Sequence, residues 1–233
     1  MKKRHLFLQN TLQRWLPSQN EWSLLVAIVV ALVFTAIVDT NHTYFFRPLE
    51  SLRDIARNSA MLGIFALGAA VVIIAGGIDL SSGSMIALSG TVCSVTMLAL
   101  APTEMMAFQP VGWVVVLIAV LASLVTGFFV GTLHTWLITV VRLPPFIATL
   151  ATLVGLRSFA RALCESSTAV LTPTKSAVIN VADPVFKSVR DNVWFSVGAF
   201  LVLACITWLL LSRTVLGRHL KALGGNEQAS RLA

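Results

Sequence analysis

The sequence predicts an all-α membrane protein with six transmembrane helices, and three observations point there. Only 12% of the 233 residues are charged while 57% are hydrophobic, against about 25% and 45–50% in a soluble domain. The apolar residues gather into long uncharged runs, one of them reaching from Met105 to Val141. The charges fall mainly in the connections between those runs. The formal +7 therefore reads as membrane topology and not as a nucleic-acid surface, which needs its cations in a stripe or patch. Soluble, disordered and disulfide-rich secreted classes are excluded. Cys93, Cys164 and Cys205 are odd in number and lack metal-ligand or disulfide-framework spacing.

The hydrocarbon core takes about 20 apolar residues per helix. Residues 1–21 form a basic tail carrying Lys2, Lys3, Arg4 and Arg14, and Trp22 to Val38 is the first span. A signal peptide is the competing reading, but the polar leader is long and no small-x-small site follows Val38. From Asp39 to Asn58 acids and bases alternate (Arg47, Glu50, Arg53, Asp54, Arg57), which suits an interfacial helix. Ser59 to Thr103 then holds 45 residues and one charge, Asp79. At 1.5 Å per residue this is about 68 Å, twice a bilayer. The stretch is therefore two antiparallel spans, 59–77 and 82–101, reversing at Gly76-Gly77-Ile78-Asp79, where glycine permits a sharp turn.

The fourth span is 112–136, with Trp113 and Trp136 near its ends as interfacial aromatics. Ser123, Gly127, Gly131 and Thr135 recur every four residues along it, a strip suited to close helix packing. The fifth span, 143–163, is the weakest, because only 14 residues separate Arg142 from Arg157. Arg157 and Arg161 share a face and can snorkel to the outer interface; contact with a solute or an extracytoplasmic protein is the other reading. A polar connection follows to Asp191, and the sixth span is 192–212. Residues 213–233 are a basic cytoplasmic segment. An inside N-terminus puts nine of the seventeen cations inside, among them the clusters at both chain ends.

Catalytic and metal signatures are missing. No G-x-x-x-x-G-K-[ST] loop is present, and His5, His42, His134 and His219 are isolated. Intramembrane proteolysis with Ser82, Ser84 or Ser89 as nucleophile and His134 as base is weakened by the lack of any evident group to orient His134. Two segments carry information. In Gly76-Gly77-Ile78-Asp79-Leu80-Ser81-Ser82-Gly83, an ionisable residue sits at a helix break between apolar runs. That makes it a candidate for a translocation path, while the Asp-x-Ser-Ser pattern also reads as a helix cap. In the tail, Leu216, Leu220 and Leu223 make an amphipathic extension of the last span. Gly224-Gly225 stops it, Asn226 caps a new helix, and Glu227 and Arg231 are spaced to pair along that helix.

Three stretches carry a resemblance: Gly76 to Gly83; Pro144-Pro145-Phe146-Ile147-Ala148-Thr149-Leu150 followed by Leu156-Arg157; and Leu216 to Glu227. In this order they resemble the ribose-type permeases of ABC sugar importers, over about residues 20 to 233. Ser82 and Ser158 depart mildly from that family's usual residues. The resemblance implies the N-terminal part of a ten-span fold of the vitamin B12-importer type, in a chain expected to be C-terminally incomplete. It implies a homodimer in the bacterial inner membrane, a periplasmic sugar-binding protein, and a separate cytoplasmic ATPase met by Gly217, Arg218, Gly224, Gly225, Asn226, Glu227 and Arg231. No cofactor or nucleic acid is expected. A proton-coupled secondary transporter is the alternative, and it would want more buried carboxylates than Asp79.

Overall fold

The computed structural model describes residues 19–39, 46–173 and 175–226. The basic tail of 1–18, His42, Glu227 and Arg231 lie outside the described residues. The chain divides into two compact units at Ile55–Ala56.

The first unit contains α1 (Gln19–Val38) and the opening turns of α2 (Pro48–Ile74). Along α1, Thr35 turns its hydroxyl back to the Ala31 carbonyl at 2.9 Å, which hides its polarity within the helix. Of the interfacial helix expected over 39–58, the described residues 48–58 are not a separate element. From Pro48 they run straight into the second span as one helix of 27 residues, because Pro48 suits the first turn and no proline follows inside it.

The second unit is a helical bundle. It comprises the rest of α2, α3 (Ser82–Leu100), α4 (Pro102–Met106), α5 (Trp113–Thr139), α6 (Pro145–Leu171), α7 (Pro184–Asp191), α8 (Val193–Arg213) and α9 (Val215–Gly225). Five of the described helices, α2, α3, α5, α6 and α8, are long and apolar enough to cross a membrane, and Trp22–Val38 is a shorter apolar helix. The chain is a multi-pass membrane protein, and its exposed surface agrees: Phe128, Phe129 and Trp194 stand 74%, 66% and 77% exposed, as side chains facing lipid would.

α3 is the central helix, packed on both α5 and α6. Leu88, Val130 and Ala160 are buried together where the three meet. The helices alternate in direction, so the bundle has two distinct ends. One end carries the connections 75–81, 140–144 and 214–226. At the other, Met97, Leu98, Ala101, Met105, Val111, Val116 and Ala119 form a buried cluster onto which Leu171, Ile179, Val181 and Phe186 fold back. Asp183, only 3% exposed, ties that end together. One carboxylate oxygen caps α7 by accepting from Val185 N–H at 2.9 Å, and the other accepts from Val111 N–H at 3.0 Å.

Three expectations are corrected. The fifth span does not stop near Leu163 but reaches Leu171 as α6, held by Thr168 bonding back to Cys164 at 2.9 Å and by the Arg161–Glu165 pair at 2.8 Å. The last span does not extend into the tail. Thr214 adopts an extended conformation and accepts from Gly217 N–H at 3.1 Å, so α9 is a new helix with its own cap. Gly217 is buried in that corner, where an added Cβ would overlap the Leu210 and Leu211 backbone. Finally, a close approach at the glycines of the Ser123–Thr135 strip is not seen, since an added Cβ at Gly127 or Gly131 meets nothing within 4 Å.

Candidate functional site

The break between α2 and α3 is built from local hydrogen bonds. Gly76 takes φ of +81°, a conformation open to glycine at little cost. The turn closes the end of α2: Gly76 N–H donates to Ile73 O at 2.9 Å and Gly77 N–H to Val72 O at 3.0 Å. Three residues after Gly76, Asp79 directs one carboxylate oxygen at Ser81, accepting from its N–H at 2.7 Å and its hydroxyl at 2.6 Å. Ser81 is fully buried and precedes α3, and its own side chain caps nothing. The oxygen that holds the start of α3 is therefore that of Asp79, which bonds the N-cap residue Ser81 from two residues upstream and not the N–H groups inside the helix. Ser84, also buried, donates to Ser81 O at 2.6 Å. Ser82 opens the helix, and Gly83 has open space around it.

α6 lies beside this break. Thr149, 3% exposed, approaches Ile78 O at 3.4 Å. Its single hydroxyl proton has a better acceptor in Pro145 O at 2.9 Å, so the tie to Ile78 is the weaker of the two. One turn on, Thr152 Oγ1 lies 2.7 Å from His134 Nε2 on α5. The Thr152 proton has backbone acceptors in Ala148 O at 3.0 Å and Thr149 O at 3.1 Å. The pair can bond either way: Nε2–H donates to the hydroxyl oxygen when the Thr152 proton goes to the backbone, and with the other tautomer the hydroxyl donates to Nε2. The partner for His134 that the sequence did not reveal is Thr152. Neither Ser82, Ser84 nor Ser89 is bonded to His134, and the proteolytic arrangement is not formed.

The tail returns to the same place. α9 includes Gly224 and Gly225 instead of stopping before them, and Asn226 is extended. A Cβ on Gly224 would overlap Ile74 O and stand 3.1 Å from Gly76 N, whereas one on Gly225 would meet nothing within 4 Å. The two segments picked out in the sequence, 76–83 and 216–226, are thus in backbone contact. Arg218 is exposed on α9.

The two arginines of the fifth span are separated by their surroundings. Arg161 pairs with Glu165, which also meets Lys175 at 3.4 Å. Because α6 extends to Leu171, Arg157 lies near mid-helix, about 18 Å from its start and about 21 Å from its end at 1.5 Å per residue. It is exposed, and snorkelling from there is a longer reach than expected. At the connections, Arg190 beside Asp191 holds that carboxyl below its usual range, and the Thr103 hydroxyl does the same for Glu104. Among the described residues, no three His, Cys, Asp or Glu side chains are grouped to hold a metal ion.

A model of the family described as branched-chain amino acid transport system / permease component matches residues 51–233. The chain is 31% identical over 223 residues to the ribose import permease protein RbsC of Escherichia coli (strain K12), covering 94% of this chain and 61% of that protein. It is 29% identical over 220 residues to the galactofuranose transporter permease protein YtfT of the same strain, covering 90% and 55%. It is 30% identical over 219 residues to the autoinducer 2 import system permease protein LsrC of Yersinia pseudotuberculosis, covering 94% and 56%. The chain spans about 55–61% of the length of these curated relatives. No solved structure matches it.

Proposed function

The chain belongs to the family of branched-chain amino acid transport system / permease components, and on that premise we propose that it is the membrane-spanning permease subunit of an ATP-driven sugar importer. One observation carries the reading: the match runs from residue 51 to residue 233, across both the helix break and α9. Two of the relatives are named for ribose and galactofuranose, so the solute is a neutral monosaccharide. A substrate-binding protein delivers it on one face of the membrane, and a separate ATPase subunit hydrolyses ATP on the other. The permease works as a homodimer in the bacterial inner membrane with the N-terminus in the cytoplasm, an orientation supported by the basic clusters near both chain ends. Its own residues catalyse no reaction. Solute passes beside the break at 76–83, where backbone groups freed from helix pairing can line a polar path. The 216–231 segment, Gly217 and Arg218 to Arg231, faces the ATPase.

The test is uptake in the host. Deleting the coding sequence should abolish high-affinity uptake of at least one sugar in a panel of radiolabelled ribose, galactose and arabinose. That uptake should survive a protonophore when ATP is maintained and should be blocked by vanadate. Unchanged uptake across the panel, or loss to protonophore at constant ATP, overturns the proposal.

A further inference from the structure

Gly224 and Gly225 are twins in sequence and opposites in structure. Gly224 lies against the turn that ends α2, with no side chain between the two backbones. A Cβ placed on it would overlap Ile74 O, come within 2.9 Å of the Ile74 carbonyl carbon and stand 3.1 Å from Gly76 N. In the other direction, a Cβ on Gly76 would reach 3.4 Å from Gly224 Cα. A Cβ on Gly225 would meet nothing within 4 Å among the described residues. A contact between two backbones has no rotamers through which to absorb a displacement, so it transmits movement more faithfully than a contact between long side chains.

The turn on the receiving side is itself tied down. Its amides are bonded into the last turn of α2. Downstream, the chain passes through the Asp79–Ser81 bonds into α3, and Ser81 just before it and Ser84 in its first turn are buried. A displacement of α9 therefore has a short, stiff route: from Gly224 to the 74–76 turn, through the Asp79 cap, to the central helix of the bundle. We infer that Gly224 is a positioning residue through which movement of the cytoplasmic segment reaches the helix break. The inference rests on the proposed role of α9 in facing an ATPase.

The experiment uses the full chain with Ile78→Cys as reporter, since Ile78 is 54% exposed within the break. The rate of N-ethylmaleimide labelling at position 78 is followed in membranes, with peptide-resolved mass spectrometry to exclude Cys93, Cys164 and Cys205. Gly224→Ala should change that rate at least threefold, while Gly225→Ala leaves it within experimental scatter. Equal effects of the two variants, or none from Gly224→Ala, overturn the inference. If Gly224→Ala fails to insert, amide hydrogen exchange on the unmutated chain decides. Adding the ATPase subunit should change exchange at least threefold in 75–81 as well as in α9, and a change confined to α9 overturns the inference. In the assembled transporter, Gly224→Ala should lower sugar moved per ATP hydrolysed severalfold, a ratio that weaker ATPase association or a purely structural defect would not by itself change. Absence of any ATPase-driven uptake would count against the proposed function, while the labelling comparison would still decide the contact.

Discussion

Asp79 serves two donors with one oxygen, and that economy fixes what its replacement does. Asparagine retains a carbonyl oxygen in the same place, so Asp79→Asn should cost under about 1 kcal/mol. Asp79→Leu leaves the N–H and hydroxyl of fully buried Ser81 without a partner, at about 2–4 kcal/mol. Thermal unfolding in detergent should rank the variants in that order, and equal losses would remove the capping role. The His134–Thr152 pair sets a second comparison. Thr152→Ser keeps the hydroxyl, whereas Thr152→Val leaves His134 Nε2 without this partner in either tautomer and should cost about 1–3 kcal/mol; the same melts check it. Asp79 was legible because its cap is formed two residues away, within one motif. Thr152 was not, because it is 18 positions from His134 on another helix, and a threonine on an apolar helix carries no signal of the side chain it will meet.

At the scale of elements, what the sequence concealed was where one helix becomes the next. The alternating charges of 47–57 suggested a separate interfacial helix, yet nothing there interrupts the backbone ladder, and α2 runs on. Thr214 did carry a start signal, a hydroxyl three residues before a glycine N–H, which the apolar periodicity of Leu216, Leu220 and Leu223 overrode. Gly224-Gly225 was expected to stop α9, and the helix ends with that pair as its last two residues, Asn226 being extended. The connection before α7 is held at Ser176 by Thr168 and at its end by Asp183. Asp183→Ala should remove both the α7 cap and the tie to Val111, costing about 2–4 kcal/mol. Limited proteolysis should then cut within 175–183 markedly faster than in the unmodified chain.

For the whole molecule, composition and run length were enough to read an all-helical, multi-pass protein, because the cost of leaving backbone groups unpaired in lipid admits few alternatives. The contacts at the ends of the helices were not readable, since they join segments as distant as Ile74 and Gly224. The alternation of the helices has a direct consequence for accessibility. Lys175 follows α6 and Arg218 lies in α9, with α8 crossing between them. Cysteines replacing them should react with a membrane-impermeant maleimide from opposite faces of the membrane, and labelling from one face would refute the six-span arrangement.

The two ends of α3 are held by very different means, and this makes the helix a lever with a built-in fulcrum. At Met97, Leu98 and Ala101 it is embedded in the larger buried cluster; at Ser82 it hangs from a glycine turn and a carboxylate cap. Its 19 residues make an arm of about 28 Å at 1.5 Å per residue. A tilt of about 10° on the clustered end would swing the Ser82 end through about 5 Å over that length.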